Sequence, residues 1–518
     1  MNNIPNLCIG DVSPNGQVSI LDEDRLSYSV LNNSKGAVGI RTISKSLLNE
    51  FIGYIIEHPD NTPTEVRNEL CGRTKIDKFE YGYASTLCIM AQMAISKRNA
   101  YRTDKSNENQ NRLSPDDISY ISAIKTKPFV ILGGFSGTGK SQKVKELAFA
   151  TCPNNSHLRT SETTPGNYLL LSVKPNWHDA TEITGFRSSV NRNYYVTDFM
   201  RFLIKAMHFP NVPFFVCLDE MNLAPVEEYF ADFLSVIESR KKTSSGQIVT
   251  DAIIPASVFN EEYNDNFCIF DCLGFERMDR GMTDDGLHET LLGKFIRIDL
   301  INKIKRDGLT IPSNVIIIGT VNMDDTTNSF SRKVIDRAMT FETVVGKFGD
   351  EYFNSDVALN YVKNPLNGEL FLSDEVRATQ MIDEGRFILT KEEQTKILNF
   401  INDINEDLDG SPFKISYRIL NETILLYRSK KRIAEIMKDE DGLADGVEFK
   451  TDLNTIFDDI LMQKVLPRIE GDYEKCSKCL NKLSSRADNN EWKKSYDKIE
   501  FMIKRFGSDR SGFTSFWN

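Results

Sequence analysis

Apolar residues follow two rhythms along the chain. Short unbroken apolar runs at residues 129–132, 168–173, 214–218 and 315–319 predict buried strands, because a strand covered on both faces has no polar side to alternate with. Between them lie helical patterns, the clearest at residues 142–150. Short strands alternating with helices predict an α/β region with a parallel sheet over residues 114–345. Residues 241–310 break the alternation with an apolar piece at 248–254, a Gly-rich polar stretch at 280–286 and a basic segment at 294–306, and read as an insertion.

The flanks are different. In residues 1–110, Leu47, Leu48, Phe51, Ile52, Ile55 and Ile56 recur at helical spacing, and His58-Pro59-Asp60-Asn61 stops that helix. Residues 64–70 and 79–94 predict two more helices, while the glycines of the first 40 residues suggest loops or short strands. This makes a mainly helical N-terminal accessory domain, used for recognition or docking. The polar stretch 103–112 reads as a linker. Residues 346–518 are predicted mostly helical: Ile397, Leu398, Phe400, Ile401, Ile404 and Leu408 form one face closed by Gly410, and patterns at 417–427 and 453–469 follow.

The chain of 518 residues has room for two to four domains, with the 40% hydrophobic and 26% charged content of an ordinary soluble protein. No apolar run approaches the roughly 20 residues that span a bilayer. The N-terminus has no basic stretch followed by an apolar one, so a cytoplasmic protein with no membrane contact is expected. The net charge of −11 would repel nucleic acid from a uniform surface, so any DNA contact needs a local basic patch. The first 115 residues hold 13 basic and 13 acidic side chains, so the acidity lies in the remainder. The loose basic series Lys97, Arg98, Arg102, Lys105 and Arg112 reads as solvated linker. Nine cysteines include Cys476-Ser-Lys-Cys479 and the pair Cys268 and Cys272, but their surroundings suit packing rather than zinc, and five scattered histidines form no ligand cluster.

The chemistry begins at Gly134-Phe-Ser136-Gly137-Thr138-Gly139-Lys140-Ser141, which follows a predicted strand and precedes a predicted helix. That is the setting of a phosphate-binding P-loop. Glycines let backbone N–H groups face phosphate oxygens, and the helix adds the positive end of its dipole. Lys140 can reach the β- and γ-phosphates, and the Ser141 hydroxyl can ligate Mg2+. Some 80 residues on, Phe214-Phe-Val-Cys-Leu-Asp219-Glu220-Met-Asn222 delivers two carboxylates from a buried strand. Asp219 is the second candidate Mg2+ ligand, and Glu220 can polarise an attacking water. A third strand ends in Gly-Thr-Val-Asn322-Met-Asp-Asp325, where Asn322 can contact the γ-phosphate or that water. Met323 stands where a guanine-reading N-K-x-D loop has lysine. In Ser331-Arg332-Lys-Val-Ile-Asp336-Arg337-Ala338, Arg337 first and Arg332 second are candidates to reach a neighbouring subunit's nucleotide.

These segments in this order resemble the AAA+ ATPases of the McrB branch. Ser172-Val-Lys-Pro-Asn-Trp177-His-Asp179 with Gly185-Phe186 resembles the stretch that branch carries between its first two motifs. The resemblance covers residues 120–345 well and reaches more loosely to Tyr417-Arg418 and Leu466-Pro-Arg468, where such proteins carry a helical lid. It implies an AAA+ P-loop NTPase fold and makes Arg418 a candidate second sensor arginine. It further implies a hexameric ring, DNA as substrate, and a separate McrC-like nuclease subunit in a phage-restriction system. The family signature Asn-Thr-x-Asp-Arg is altered, with Thr326 in place of its arginine. The nucleotide is therefore ATP or GTP, with ATP favoured by the habit of the superfamily. Asp441, Asp445 and Glu448-Phe-Lys450 lack the apolar strands of a nuclease and read as a solvated loop, so cutting is expected in a partner. The alternative reading is a MoxR or dynein-related ATPase that remodels protein partners without DNA.

Overall fold

The computed structural model describes residues 18–22, 27–32 and 37–42. From 113 onward it describes all but 114, 154–157, 159–160, 162, 191–192, 261–268, 274–297, 324–329, 344–360, 363, 440–450, 509–511 and 518. The chain divides into two compact units, one of Met1–Asn111, Asn155–His157 and Met278–Leu287, the other of Arg112–Asn154, Leu158–Arg277 and His288–Asn518. In the first, strands β1 (Val18–Asp22), β2 (Ser27–Asn32) and β3 (Ala37–Thr42) form an antiparallel meander in the order β1-β2-β3. The helices expected at 43–58, 64–70 and 79–94, the linker at 103–112, the Gly-rich stretch at 280–286 and the Asp441–Lys450 string lie outside the described residues.

The second unit opens with helix α1 (Pro115–Thr126) and strand β4 (Phe129–Gly134), whose six residues are all buried. The P-loop follows, then α2 (Lys140–Thr151), β5 (Tyr168–Ser172), α3 (Asp198–His208), β6 (Phe214–Asp219), α4 (Ala231–Glu238), β7 (Val315–Asn322), the short α5 (Arg332–Ile335) and β8 (Met339–Thr343). The five strands form one parallel sheet in the order β8-β4-β7-β6-β5. Strands β4, β6 and β7 are buried along their apolar runs, as expected of strands covered on both faces, whereas β5, at one edge of the sheet, is only partly buried and leaves Leu170 exposed. The fifth strand, β8, is not among those the apolar runs predict. Its sequence Met-Thr-Phe-Glu-Thr is short and partly polar, as an edge strand allows.

Register matters most for the site. Gly134 pairs with Asn322 on one side and Thr343 on the other, while Gly319 pairs with Leu218. The carboxyl ends of β4, β6, β7 and β8 therefore converge, the usual place for ligands in such sheets. Because β7 lies between β4 and β6, its polar end sits between the phosphate loop and the two acids. Between α4 and β7 the chain makes two small antiparallel strand pairs, Lys241–Lys242 with Ile248–Val249 and Ala252–Ile254 with Leu309–Thr310, and helices at Ala256–Asn260 and Ile298–Asp307.

The remainder is mostly helical: α6 (Lys391–Asp407), α7 (Tyr417–Asp439), α8 (Leu453–Ile460), α9 (Tyr473–Asn489) and α10 (Lys493–Ser508), with one short antiparallel pair, Glu470–Asp472 with Phe513–Ser515. A capping box between Thr390 and Glu393 starts α6. A π-turn, Leu461–Val465, carries α8 into a 3-10 turn, Leu466–Arg468. These helices are bound to the sheet layer by buried polar contacts. Thr126 Oγ1 donates to Ser429 Oγ at 3.0 Å, and Ser119 Oγ of α1 donates to Asp459 Oδ2 at 3.4 Å, an oxygen that Lys430 Nζ also meets at 2.5 Å within the helical layer. Lys498 Nζ reaches Glu342 Oε1 at 2.7 Å beside β8. Cys476 and Cys479 are buried on α9, where the Cys479 thiol donates to the Cys476 carbonyl at 3.1 Å. Among the described residues no helix is long and apolar enough to cross a membrane, and no group of three or more His, Cys, Asp or Glu could hold a metal ion.

Candidate functional site

The phosphate loop turns between β4 and α2. Gly137 (φ 80°) and Gly139 (φ 75°) both adopt left-handed backbone that an L side chain disfavours, and Gly139 is the N-cap of α2. Phe135 and Ser136 are exposed at the tip. Lys140 is buried, and its ammonium donates to the carbonyls of Gly134 (3.0 Å) and Phe135 (2.7 Å). Thr138 Oγ1 lies 3.0 Å from Thr343 Oγ1, which in turn donates to the Gly133 carbonyl at 3.0 Å. Thr343 thus ties the edge strand to the loop. Nothing in the sequence singles it out, because the pattern does not predict the strand that carries it.

Beside the loop the hydroxyls and carboxylates form one hydrogen-bonded series. Ser141 Oγ donates to Asp219 Oδ1. Thr320 Oγ1 donates to the same oxygen at 2.8 Å and accepts from the Glu220 backbone N–H at 3.0 Å. Asn322 Nδ2 donates to Glu220 Oε1 at 2.8 Å, and Asn222 Nδ2 donates to the Asn322 carbonyl at 3.1 Å. Glu220 itself sits at φ 52°, ψ 50°, a left-handed conformation that costs a non-glycine residue about 1 kcal/mol. The bonds from Thr320 and Asn322 hold it there, with the carboxylate against Asn322, which pairs with Gly134 at the start of the loop. Thr320, 2% exposed, is, like Thr343, a residue that the sequence does not single out. The only signal for it is a hydroxyl inside an otherwise apolar strand.

Among the described residues no ion pair engages Asp219 or Glu220; neutral hydroxyls and an amide hold them. Ser141 and Asp219 offer two hard oxygen donors side by side, a donor set that suits Mg2+ with phosphate and water completing its shell. Lys140 and the loop amides suit a polyphosphate, and the Glu220 carboxylate suits a water held against it.

The arginines are elsewhere. Strand β8 begins at Met339 opposite Val130 and ends at Thr343 opposite Gly134, so Arg337 lies at the other end of the sheet from the loop. Five residues of strand separate the two ends by about 17 Å. Arg337 Nη1 donates to the Lys333 carbonyl at 2.9 Å, and Nη2 is 3.6 Å from Glu238 Oε2. Arg418 Nη2 meets the same Glu238 oxygen at 2.6 Å. The structure does not bring Arg418 to the phosphate loop of its own chain, the position expected of a second sensor; the shared carboxylate at the end of α4 holds it beside Arg337. Arg332 donates to the Pro412 carbonyl at 2.8 Å and stacks over Phe413 at 4.9 Å. Asp325 and Thr326 lie outside the described residues.

Beneath the arginines is a buried ionic knot. Lys464, in the π-turn, donates to the carbonyls of Asp336 (3.0 Å) and Ala338 (2.7 Å) and pairs with Glu422 at 2.9 Å. Lys127 pairs with the same Glu422. Burial lowers the Lys464 pKa to about 8, against the opposing pull of the Glu422 carboxylate. The knot joins the foot of β4, helix α7 and the turn that carries Arg337.

The helical region matches a family described as Domain of unknown function (DUF8727) over residues 372–511, which contain Arg418, Glu422 and Lys464. Among solved structures the chain is similar to "a putative ATPase from Cytophaga hutchinsonii", at 11% identity, covering 66% of this chain and 84% of that one, with a TM-score of 0.34. No curated protein matches the chain.

Proposed function

We propose that this chain is a magnesium-dependent nucleoside triphosphatase of the AAA+ type. The observation that carries the reading is the series Ser141–Asp219–Thr320–Glu220–Asn322 at the mouth of a P-loop. Lys140 and the loop amides bind the phosphates, while Ser141 and Asp219 hold Mg2+, which screens the phosphate charge. Glu220 orients and polarises the water, and Asn322 keeps its carboxylate in line. The reading extends to a ring of copies. About 17 Å of strand separates Arg337 from its own phosphate loop, more than the length of an arginine side chain, and Glu238 holds Arg418 beside Arg337, so their use in hydrolysis would need a neighbour's nucleotide. ATP is the favoured nucleotide.

The finer proposal is a motor subunit of a McrBC-like restriction complex with DNA as its substrate and a separate McrC-like nuclease as partner. It rests on the sequence words Leu-Asp-Glu-Met-Asn-Leu-Ala-Pro and Gly-Thr-Val-Asn-Met-Asp-Asp-Thr-Thr. The net charge of −11 favours a second reading, remodelling of protein partners without DNA. Phosphate release with ATP and GTP in parallel tests the core reading: no turnover with either at any protein concentration defeats it. Repeating the assay with modified and unmodified DNA, with and without the adjacent gene product, separates the two finer readings. Stimulation that falls as salt rises supports the DNA motor, and absence of both binding and cleavage removes it.

A further inference from the structure

Arg240 follows α4 and is 9% exposed, yet it has no ion pair, and its Nη2 is buried without a hydrogen-bond partner among the described residues. The acids near it in sequence are engaged elsewhere: Glu238 by Arg337 and Arg418, Asp251 by Lys241 at 3.7 Å. An uncompensated buried cation is strongly unfavourable, which is why buried charges are found paired. Burial lowers the Arg240 pKa to about 10, still far too high for neutralisation at physiological pH. Arg240 lines a small cavity at the foot of the sheet, with Ile237, Thr250, Ile311, Ser313 and Val315 among its other walls. About 20 Å³ there is open to the centre of a water-sized sphere, enough for one or two such occupants. The Thr250 hydroxyl accepts from the Ile311 N–H at 3.1 Å and donates weakly to the Ile311 carbonyl at 3.5 Å, and Ser313, exposed, carries a second hydroxyl. The side chains of the remaining lining residues are apolar.

We propose that this cavity is a binding site for one small monovalent anion of about chloride size, held by the Arg240 guanidinium. The site is at the opposite end of the sheet from the phosphate loop and is independent of nucleotide. The test is thermal unfolding of the full chain, without nucleotide, in sodium chloride against sodium gluconate at matched ionic strength, for wild type and Arg240→Met. Wild type should gain a saturable shift of about 1–2 °C in chloride over gluconate, about what occupancy at ten times the dissociation constant provides for a chain of this size. Arg240→Met should show no such difference, and in gluconate should melt above wild type, because an unpaired buried charge has been replaced by an apolar chain. A bromide soak of wild-type crystals should place an anomalous peak within hydrogen-bond reach of the guanidinium. Equal melting of wild type in the two salts, or an equal chloride response in Arg240→Met, would overturn the proposal. So would a cavity that holds only water in the bromide crystals. If Arg240→Met does not fold, Arg240→Lys and the bromide crystals decide the matter.

Discussion

The two ends of the five-stranded sheet hold their carboxylates in opposite ways. Where the strands finish, Asp219 and Glu220 are fixed by neutral donors: Ser141, Thr320 and Asn322. Where the strands begin, cations gather: Arg337, Arg418 and Arg332 beside Lys127, Lys464 and Arg240. There the few acids are shared. Glu238 serves two arginines, and Glu422 serves two lysines. A carboxylate held only by neutral groups keeps its charge available to a metal ion and a water. An arginine sharing one carboxylate is positioned but incompletely neutralised, which leaves it attractive to a further anion. On the proposed function these are two complementary half-sites, which a neighbouring copy would bring together.

Removing the arginine half is the most direct challenge to that division. Arg337→Ala should lower turnover about 1,000-fold in the assembled protein while nucleotide binding persists, as expected for an arginine that acts on transferring phosphate. Turnover equal to wild type in assembled protein would sever the two ends. At the acid half, Glu220→Gln should cost about 100-fold or more in phosphate release, with fluorescent-nucleotide binding retained, since the amide keeps the bond to Asn322 but cannot polarise water. Loss of binding in step with turnover would make Glu220 a structural residue instead.

Thr320→Val probes the neutral scaffold itself, keeping shape while deleting the hydroxyl that joins Asp219 to the Glu220 backbone. Turnover should fall about 10-fold with the Michaelis constant little changed. The buried N–H left unpaired should cost about 1–3 kcal/mol in urea unfolding. An unchanged rate would show that Asn322 alone holds Glu220. The smallest effect is on pH dependence. Lys464 has a folded pKa of about 8 against an ordinary value of 10.5, because burial disfavours its charge. Below pH 8 both folded and unfolded chains carry the proton. Between pH 8 and 10.5 the unfolded chain still holds a proton that the folded chain has lost, so stability rises with pH. The gain should be at most about 3 kcal/mol, from the full difference between 10.5 and about 8, and should vanish in Lys464→Met, measured as the difference between the two urea curves. A parallel rise in the variant would assign the effect to other groups.

Much of this is legible in the sequence. Strands β4, β5, β6 and β7 are written as apolar runs, and the loop, Asp219, Glu220 and Asn322 stand at their ends. What is not legible follows one pattern. Thr343 sits on a short edge strand whose polar residues hide it. Thr320 looks like one hydroxyl among aliphatics until register sets it against Asp219. Lys464, in Leu-Met-Gln-Lys-Val-Leu-Pro-Arg, reads as an ordinary surface lysine, and only the π-turn sends it inward beneath the Arg337 turn. The family resemblance expects Arg418 at the phosphate loop, but helix α7 carries it to the far end of the sheet, where Glu238 takes it.

The parallel α/β core and the residue types at each strand end are properties of the chain's local sequence. They are set by unbroken apolar runs and by glycines that tolerate positive φ. Which polar groups meet is a matter of tertiary structure alone, because it depends on strand order and register. With β7 between β4 and β6, Thr320 and Asn322 face the acids, while the parallel direction of every strand sends the arginines to the opposite end. Strand order is a long-range choice among packings that bury the same apolar surface, so no local stretch of sequence records it.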